Sequence, residues 1–237
     1  MTLSRLFRRN LALAMMGSAL WLAGCGNDTD QFQLPELRSI AAETFKGRKD
    51  TRLPNPGVVI AVDSRKALAT TPPGDPLASI RMDSVGIATV LRRVETNGPH
   101  ITWAAFGTSD RKSVVTKNGM IVATRSLNKD LMSSESDAVH ALVRAQQEGA
   151  VPYTLRYIDG DFVTVEENYT CEVERGYDKT TELGNGQVVP VLQMFSSCFS
   201  DDRQFVDQFL VDPGGRIVEM RQWVGPVLGF AYMAQLR

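Results

Sequence analysis

Past Thr51 the chain alternates short apolar runs with polar stretches, and the runs are rich in β-branched and aromatic residues, as strands are. Four turn signals join these runs into hairpins. Asn118-Gly119 separates Val114 and Val115 from 120–122, and it is the strongest signal because both positions of a type I′ turn need positive φ. Asp159-Gly160 lies between 153–158 and 162–165, Asn185-Gly186 precedes the apolar run 188–195, and Asp212-Pro213-Gly214-Gly215 separates 205–211 from 217–223. No strand–helix–strand rhythm intervenes, which predicts antiparallel pairing. Two segments carry helical spacing instead. Leu37, Ile40, Ala41 and Phe45 share a face over 35–46, with Pro35 suited to the first turn and Gly47 to the end. Ser134 and Ser136 offer caps to a second helix, in which Ala138, Val139, Leu142, Val143 and Gln146 follow at helical spacing until Gly149. Pro54-Asn55-Pro56-Gly57 and Pro72-Pro73-Gly74-Asp75-Pro76 read as loops. The expected fold is mainly β: an antiparallel meander forming a large curved sheet or two packed sheets, with an N-terminal helix and one inserted helix.

The start of the chain has a different texture. Arg5, Arg8 and Arg9 precede an apolar stretch over 11–22, too short for a comfortable membrane span, which closes on Leu22-Ala23-Gly24-Cys25. This is the arrangement of a bacterial lipoprotein signal peptide: 1–24 would be removed, Cys25 acylated, 25–34 would form a flexible tether, and 35–237 a single periplasmic β-rich domain. Acyl chains contribute roughly 0.8 kcal/mol per buried methylene, so two or three anchor the protein permanently. Gly26 and Asn27 follow the cysteine and no aspartate stands directly after it, which favours the outer membrane.

Removing 24 of the 237 residues takes away three arginines and no acid. The mature part then carries 23 basic against 27 acidic residues, a balance that speaks against a nucleic-acid partner. With Cys25 acylated, Cys171 and Cys198 remain as a pair in an oxidising compartment and are expected to form a disulfide. His100 and His140 are the only histidines, and neither stands at ligand spacing from a cysteine, so no metal site and no cofactor is expected. His140, off the apolar stripe of its helix, reads as a solvated polar position. There is no Gly-x-Ser-x-Gly elbow, no phosphate-cradling loop and no His-Glu-x-x-His. Glu166-Glu167 or Asp201-Asp202 could be imagined as a glycosidase pair, but adjacent acids on a strand point to opposite faces and acids in a turn are usually solvated. Aromatic positions are better candidates for a functional surface, because sugars stack their C–H faces on rings. The candidate glycan or partner contacts are Trp103, Tyr177, Arg221, Gln222 and Trp223, with Tyr153 and Tyr157 as further rings.

Two stretches also resemble a known family. They are Thr102-Trp103 followed by 118–127 and Asp130-Leu131, and 205–211 followed by Asp212, Gly215-Arg216-Ile217-Val218, Arg221-Gln222, Pro226 and Leu236-Arg237. Together they are similar to the YjbF/GfcB family of capsule and exopolysaccharide lipoproteins, over roughly 77–237. Ser126 stands where that pattern has a glycine. The resemblance implies a lipid-anchored, mainly β domain on the periplasmic side of the outer membrane. It also implies a non-enzymatic accessory of polysaccharide production and secretion, which binds glycan or scaffolds export proteins. The alternative is a periplasmic enzyme that modifies the polysaccharide.

Overall fold

The computed structural model describes residues 56–106, 112–127, 129–158 and 163–237. The expected signal peptide, Cys25, the expected tether, the helix expected over 35–46 and the expected Asp159-Gly160 turn lie outside the described residues. Twelve strands follow in chain order: β1 (Leu77–Met82), β2 (Ile87–Asn97), β3 (His100–Ala105), β4 (Ser113–Lys117), β5 (Met120–Arg125) and β6 (Leu131–Glu135), then β7 (Gly149–Ile158), β8 (Thr164–Glu182), β9 (Val188–Phe199), β10 (Gln204–Val211), β11 (Ile217–Trp223) and β12 (Phe230–Gln235). Helix α1 (Pro56–Thr70) precedes them and α2 (Asp137–Ala145) joins β6 to β7.

Every pairing is antiparallel and almost all are between neighbours in sequence, in the order β5-β4-β3-β2-β1-β12-β11-β10-β9-β8-β7-β6. The meander thus curves until β1 pairs with β12, and its free ends, β5 and β6, come together as a seam, giving a nearly closed barrel-like sheet. Side chains rather than a ladder bind that seam. Asp130 accepts from Thr124 Oγ1 (2.9 Å) and from the Ser126 (2.8 Å) and Leu127 (3.0 Å) amides, and Leu131 N–H donates to Thr124 Oγ1 (3.0 Å). This accounts for the Asp130-Leu131 element of the sequence pattern. Ser126 adopts φ 61°, a conformation that costs a residue with a Cβ but not glycine.

The interior follows the period of two. Phe205, Asp207, Phe209 and Val211 on β10, and Leu192, Met194, Ser196 and Cys198 on β9, are all buried. Cys171 on β8 faces Cys198 directly, and the two form the expected disulfide, with Cα atoms 4.0 Å apart. The hairpin turns also appear as expected: Asn118 (φ 48°) and Gly119 (φ 107°) join β4 to β5, and Gly186 and Gly215 have positive φ in theirs.

Several expectations are corrected. The segment 56–70 is a helix, not loop and strand. Pro56 sits in its first turn, where a missing N–H costs nothing, and Ala67 packs with Leu77, Val90 and Leu236 on the outer wall. Helix α2 ends at Gln146, which takes the left-handed conformation (φ 56°), and Gly149 opens β7 instead of stopping the helix. Ser136 is its N-cap residue, without a side-chain cap bond. Tyr177 lies within β8, beside a bulge between Arg175 and Asp178.

Candidate functional site

Strands alternate in direction, so the turns after β4 and β10 and the α2 connection all stand at one end of the barrel. Helix α2 lies across that end, with Val139 and Val143 in the main core. Polar bonds pin it on both sides. His140 Nε2–H donates to the Asn118 carbonyl (3.1 Å) and Lys117 pairs with Asp137, while Arg144 Nε donates to Gly215 O (2.8 Å) and Gln146 Nε2 to Asp212 O (2.9 Å). His140 is therefore buried, not solvated. Burial pushes its imidazole below the ordinary histidine range, against the opposing pull of the Asn118 carbonyl, so it is a neutral strut.

Beside α2 the barrel mouth holds a cleft of about 320 Å³, in the lower range of small-ligand pockets. Its floor is apolar, from Ile101, Trp103, Met220 and Met233, and its rim carries Thr96, Asn118, Arg144 and Glu219. Within that floor Trp103 is buried apart from 5 % of its surface, with Nε1–H donating to Thr116 Oγ1 (2.9 Å). Arg144 has no carboxylate partner among the described residues.

Gln222, expected at the surface, is fully buried. It reaches across the barrel from β11 to β5, where Oε1 accepts the Ile121 amide and Nε2 donates to the Ile121 carbonyl, both at 2.8 Å. The side-chain amide thus stands in for the strand that β5 lacks at the seam. Nε2 also lies 3.4 Å from the Tyr153 hydroxyl, and burial raises that phenol well above its ordinary pKa. One strand position away, the Asp207 carboxylate accepts the Trp223 amide (2.7 Å) where β10 and β11 diverge, and burial pushes its pKa up to about 8.

Arg221 stands on the outer wall, whereas Trp223 is half-buried and stacks on the buried Phe205 at 5.8 Å, and both meet side chains that the sequence reading did not single out. Arg81, Tyr232 and Arg221 are directly opposite one another on β1, β12 and β11. The Arg81 guanidinium lies 4.3 Å from the Tyr232 ring centre, and that of Arg221 lies 3.4 Å from the Phe230 centre, with Arg221 Nε donating to the Tyr232 hydroxyl (3.2 Å). Phe230 meets Trp223 edge-on at 5.2 Å, and Arg203 lies 5.6 Å from the Trp223 ring centre. The row depends on β1 pairing with β12, a contact across the whole described sheet that no local sequence signal reveals. Tyr177 stands apart, 79 % exposed on the part of β8 that runs beyond β7.

At the other end, Glu166, Glu167, Asp201 and Asp202 border an open hollow. Glu166 pairs with Arg156 (2.6 Å), and Glu167 accepts from the Tyr157 and Tyr169 hydroxyls with Arg203 at 3.4 Å. Burial works to raise Glu167, but the two hydroxyls and Arg203 outweigh it and hold the carboxyl below the ordinary range. Hydrogen bonds from Asn168 and Arg156 lower Glu166 likewise. Neither has the raised pKa of a general acid. Among the described residues no group of three or more His, Cys, Asp or Glu is placed to hold a metal, and no helix is long and apolar enough to cross a membrane.

A family model described as group 4 capsule polysaccharide lipoprotein gfcB, YjbF, matches residues 62–236. No curated protein matches the chain. Among solved structures, the hypothetical lipoprotein YmcC from Escherichia coli K12 is similar in fold, with a TM-score of 0.63 and 16 % identity over 87 % of this chain and 97 % of that one. A putative exported protein with a YmcC-like fold from Bacteroides fragilis covers 69 % of this chain and 93 % of its own at 11 % identity, but its TM-score of 0.28 carries no argument.

Proposed function

The chain belongs to the YjbF family of group 4 capsule polysaccharide lipoproteins, and on that premise we propose that it is a non-enzymatic accessory of polysaccharide secretion, held by lipid on Cys25 to the periplasmic face of the outer membrane. The observation that carries the reading is the mouth cleft. Apolar side chains form its floor and amide, guanidinium and carboxylate groups its rim, which suits a sugar unit that offers a C–H face and a belt of hydroxyls. The barrel wall and α2 fix both sides, so a bound unit meets groups already in place and little ordering cost arises on binding.

Deletion should reduce surface and secreted polysaccharide while cytoplasmic synthesis continues. Complementation with Thr96→Trp, which fills the cleft from its exposed rim, should fail although the variant is folded and anchored. The wild-type N-terminus should be an acylated Cys25 by mass spectrometry, and any other first residue ends the lipoprotein part. Full secretion by Thr96→Trp would remove the cleft from the mechanism. Shortening of the polymer by purified protein, abolished by Glu167→Gln, would favour the modifying enzyme.

A further inference from the structure

We propose that the Arg81–Tyr232–Arg221 row on the outer wall is a second binding site, which takes the carboxylates of an acidic polysaccharide lying across β11, β12 and β1. The proposal rests on the reading of this chain as a polysaccharide-handling protein, and adds a place and a ligand class. Aromatic side chains on the wall at first suggest sugar stacking, but Tyr232 and Phe230 are only half-exposed and the geometry excludes it at these rings. A guanidinium covers Tyr232 at 4.3 Å and another covers Phe230 at 3.4 Å, so the outward surface is cationic and planar rather than apolar. Such guanidiniums present a fork of N–H groups that matches a carboxylate with two parallel bonds.

Arg221 is the stronger half of the site. Nε is bound to the Tyr232 hydroxyl and Nη1 to the Val206 carbonyl (2.8 Å), which fixes the plane of the group, and no carboxylate pairs with it among the described residues. A charge held by neutral acceptors alone is ready for an anion and loses little freedom in binding one. Arg81 is lightly held. Its Nε lies 3.1 Å from Asp83 Oδ1, but the two side chains are 37 % and 62 % exposed, and such a pair contributes little enough for a competing carboxylate to replace it. One strand separates the two arginines, so their backbones are about 10 Å apart in a line across the sheet. A linear polymer with an acid on successive repeats can meet both together. Glu219, on the same face of β11 as Arg221, borders a hollow of about 270 Å³ beside the row and would repel an acidic chain displaced to that side.

The test measures binding of polygalacturonate and of neutral dextran to purified full-length protein in mild detergent, at low and high salt. Wild type should bind polygalacturonate in a salt-sensitive manner and dextran at least tenfold more weakly. Arg81→Ala and Arg221→Ala should each weaken polygalacturonate binding by about tenfold, the factor of one charge-assisted hydrogen bond. Because Arg221→Ala also removes a strand contact, Asp83→Ala supplies a gain of function: it frees Arg81 and should tighten binding, a result that misfolding cannot imitate. Absence of polygalacturonate binding, equal binding of dextran, or indifference to Asp83→Ala and Arg81→Ala overturns the proposal. None of these results bears on whether deletion reduces secretion, so the accessory role stands or falls separately.

Discussion

Replacing Gln222 by leucine keeps the volume of a fully buried side chain and removes only its polar bonds. The variant leaves the Ile121 N–H and C=O, both bound at 2.8 Å in the wild type, inside the barrel with no partner. An unsatisfied buried group costs about 1–3 kcal/mol, so the pair costs about 2–6 kcal/mol, and the added apolar burial of leucine returns about 1–2 kcal/mol. A net loss of about 3 kcal/mol is expected, read from urea denaturation of the oxidised protein as a lower midpoint with an unchanged slope. Hydrogen exchange locates the effect, because the Ile121 amide should lose its protection before its neighbours do. Gln222→Glu adds a check of sign. A carboxylate accepts the amide but repels the carbonyl, so the folded state raises its pKa above the unfolded value near 4.3. Its stability is therefore greatest below about pH 4 and is lost as the pH rises through the folded pKa. A loss under about 1 kcal/mol for the leucine variant, with Ile121 still protected, would refute the bridging role.

Asp207→Asn keeps an acceptor for the Trp223 amide and removes the titration. Since burial raises the folded pKa of Asp207 to about 8, the wild type should lose stability from about pH 4 upward until the pH passes 8, and thermal melts of the variant should lack that decline. Joint replacement of Cys171 and Cys198 by serine should lower stability by about 3–4 kcal/mol on chain entropy, and native protein without reductant should take up no thiol label at either position. Gly119→Val should destabilise the barrel by more than about 1 kcal/mol, because φ is +107° and a Cβ would stand 3.1 Å from that of Ile217. Lys117→Ala, which removes only a surface ion pair, should change urea midpoints little.

The described turns were legible because each depends on residues within it: Asn118-Gly119, Asn185-Gly186 and Asp212 to Gly215 carry their conformation in their own chemistry. The disulfide was legible from count and compartment. Barrel closure was not, since β1 and β12 meet through backbone bonds and no local residue records a partner so far along the chain. Gln222 was misread on its polarity, although it shares the inward phase of the buried Met220 and Val224. His140 was misread because amphipathic spacing counts apolar positions and overlooks a polar strut. Helix α1 was hidden because Val58, Val59 and Ile60 carry a β preference in the sequence.

The β1–β12 pairing also sets an order of assembly. β12 is made after every other strand, so the ring cannot close while the chain is still emerging, and β1 waits as an open edge until β12 arrives. The β8–β9 hairpin suffers no such delay, because its two cysteines are 27 residues apart and can lock it locally. Closure then brings Arg237 onto the carbonyls of Pro72 (2.7 Å) and Asp75 (2.8 Å), in the stretch that leads into β1. A chain cut short before β12 retains its hairpins and presents an unpaired strand on each side of the gap, the form in which a sheet protein is most prone to join a neighbour.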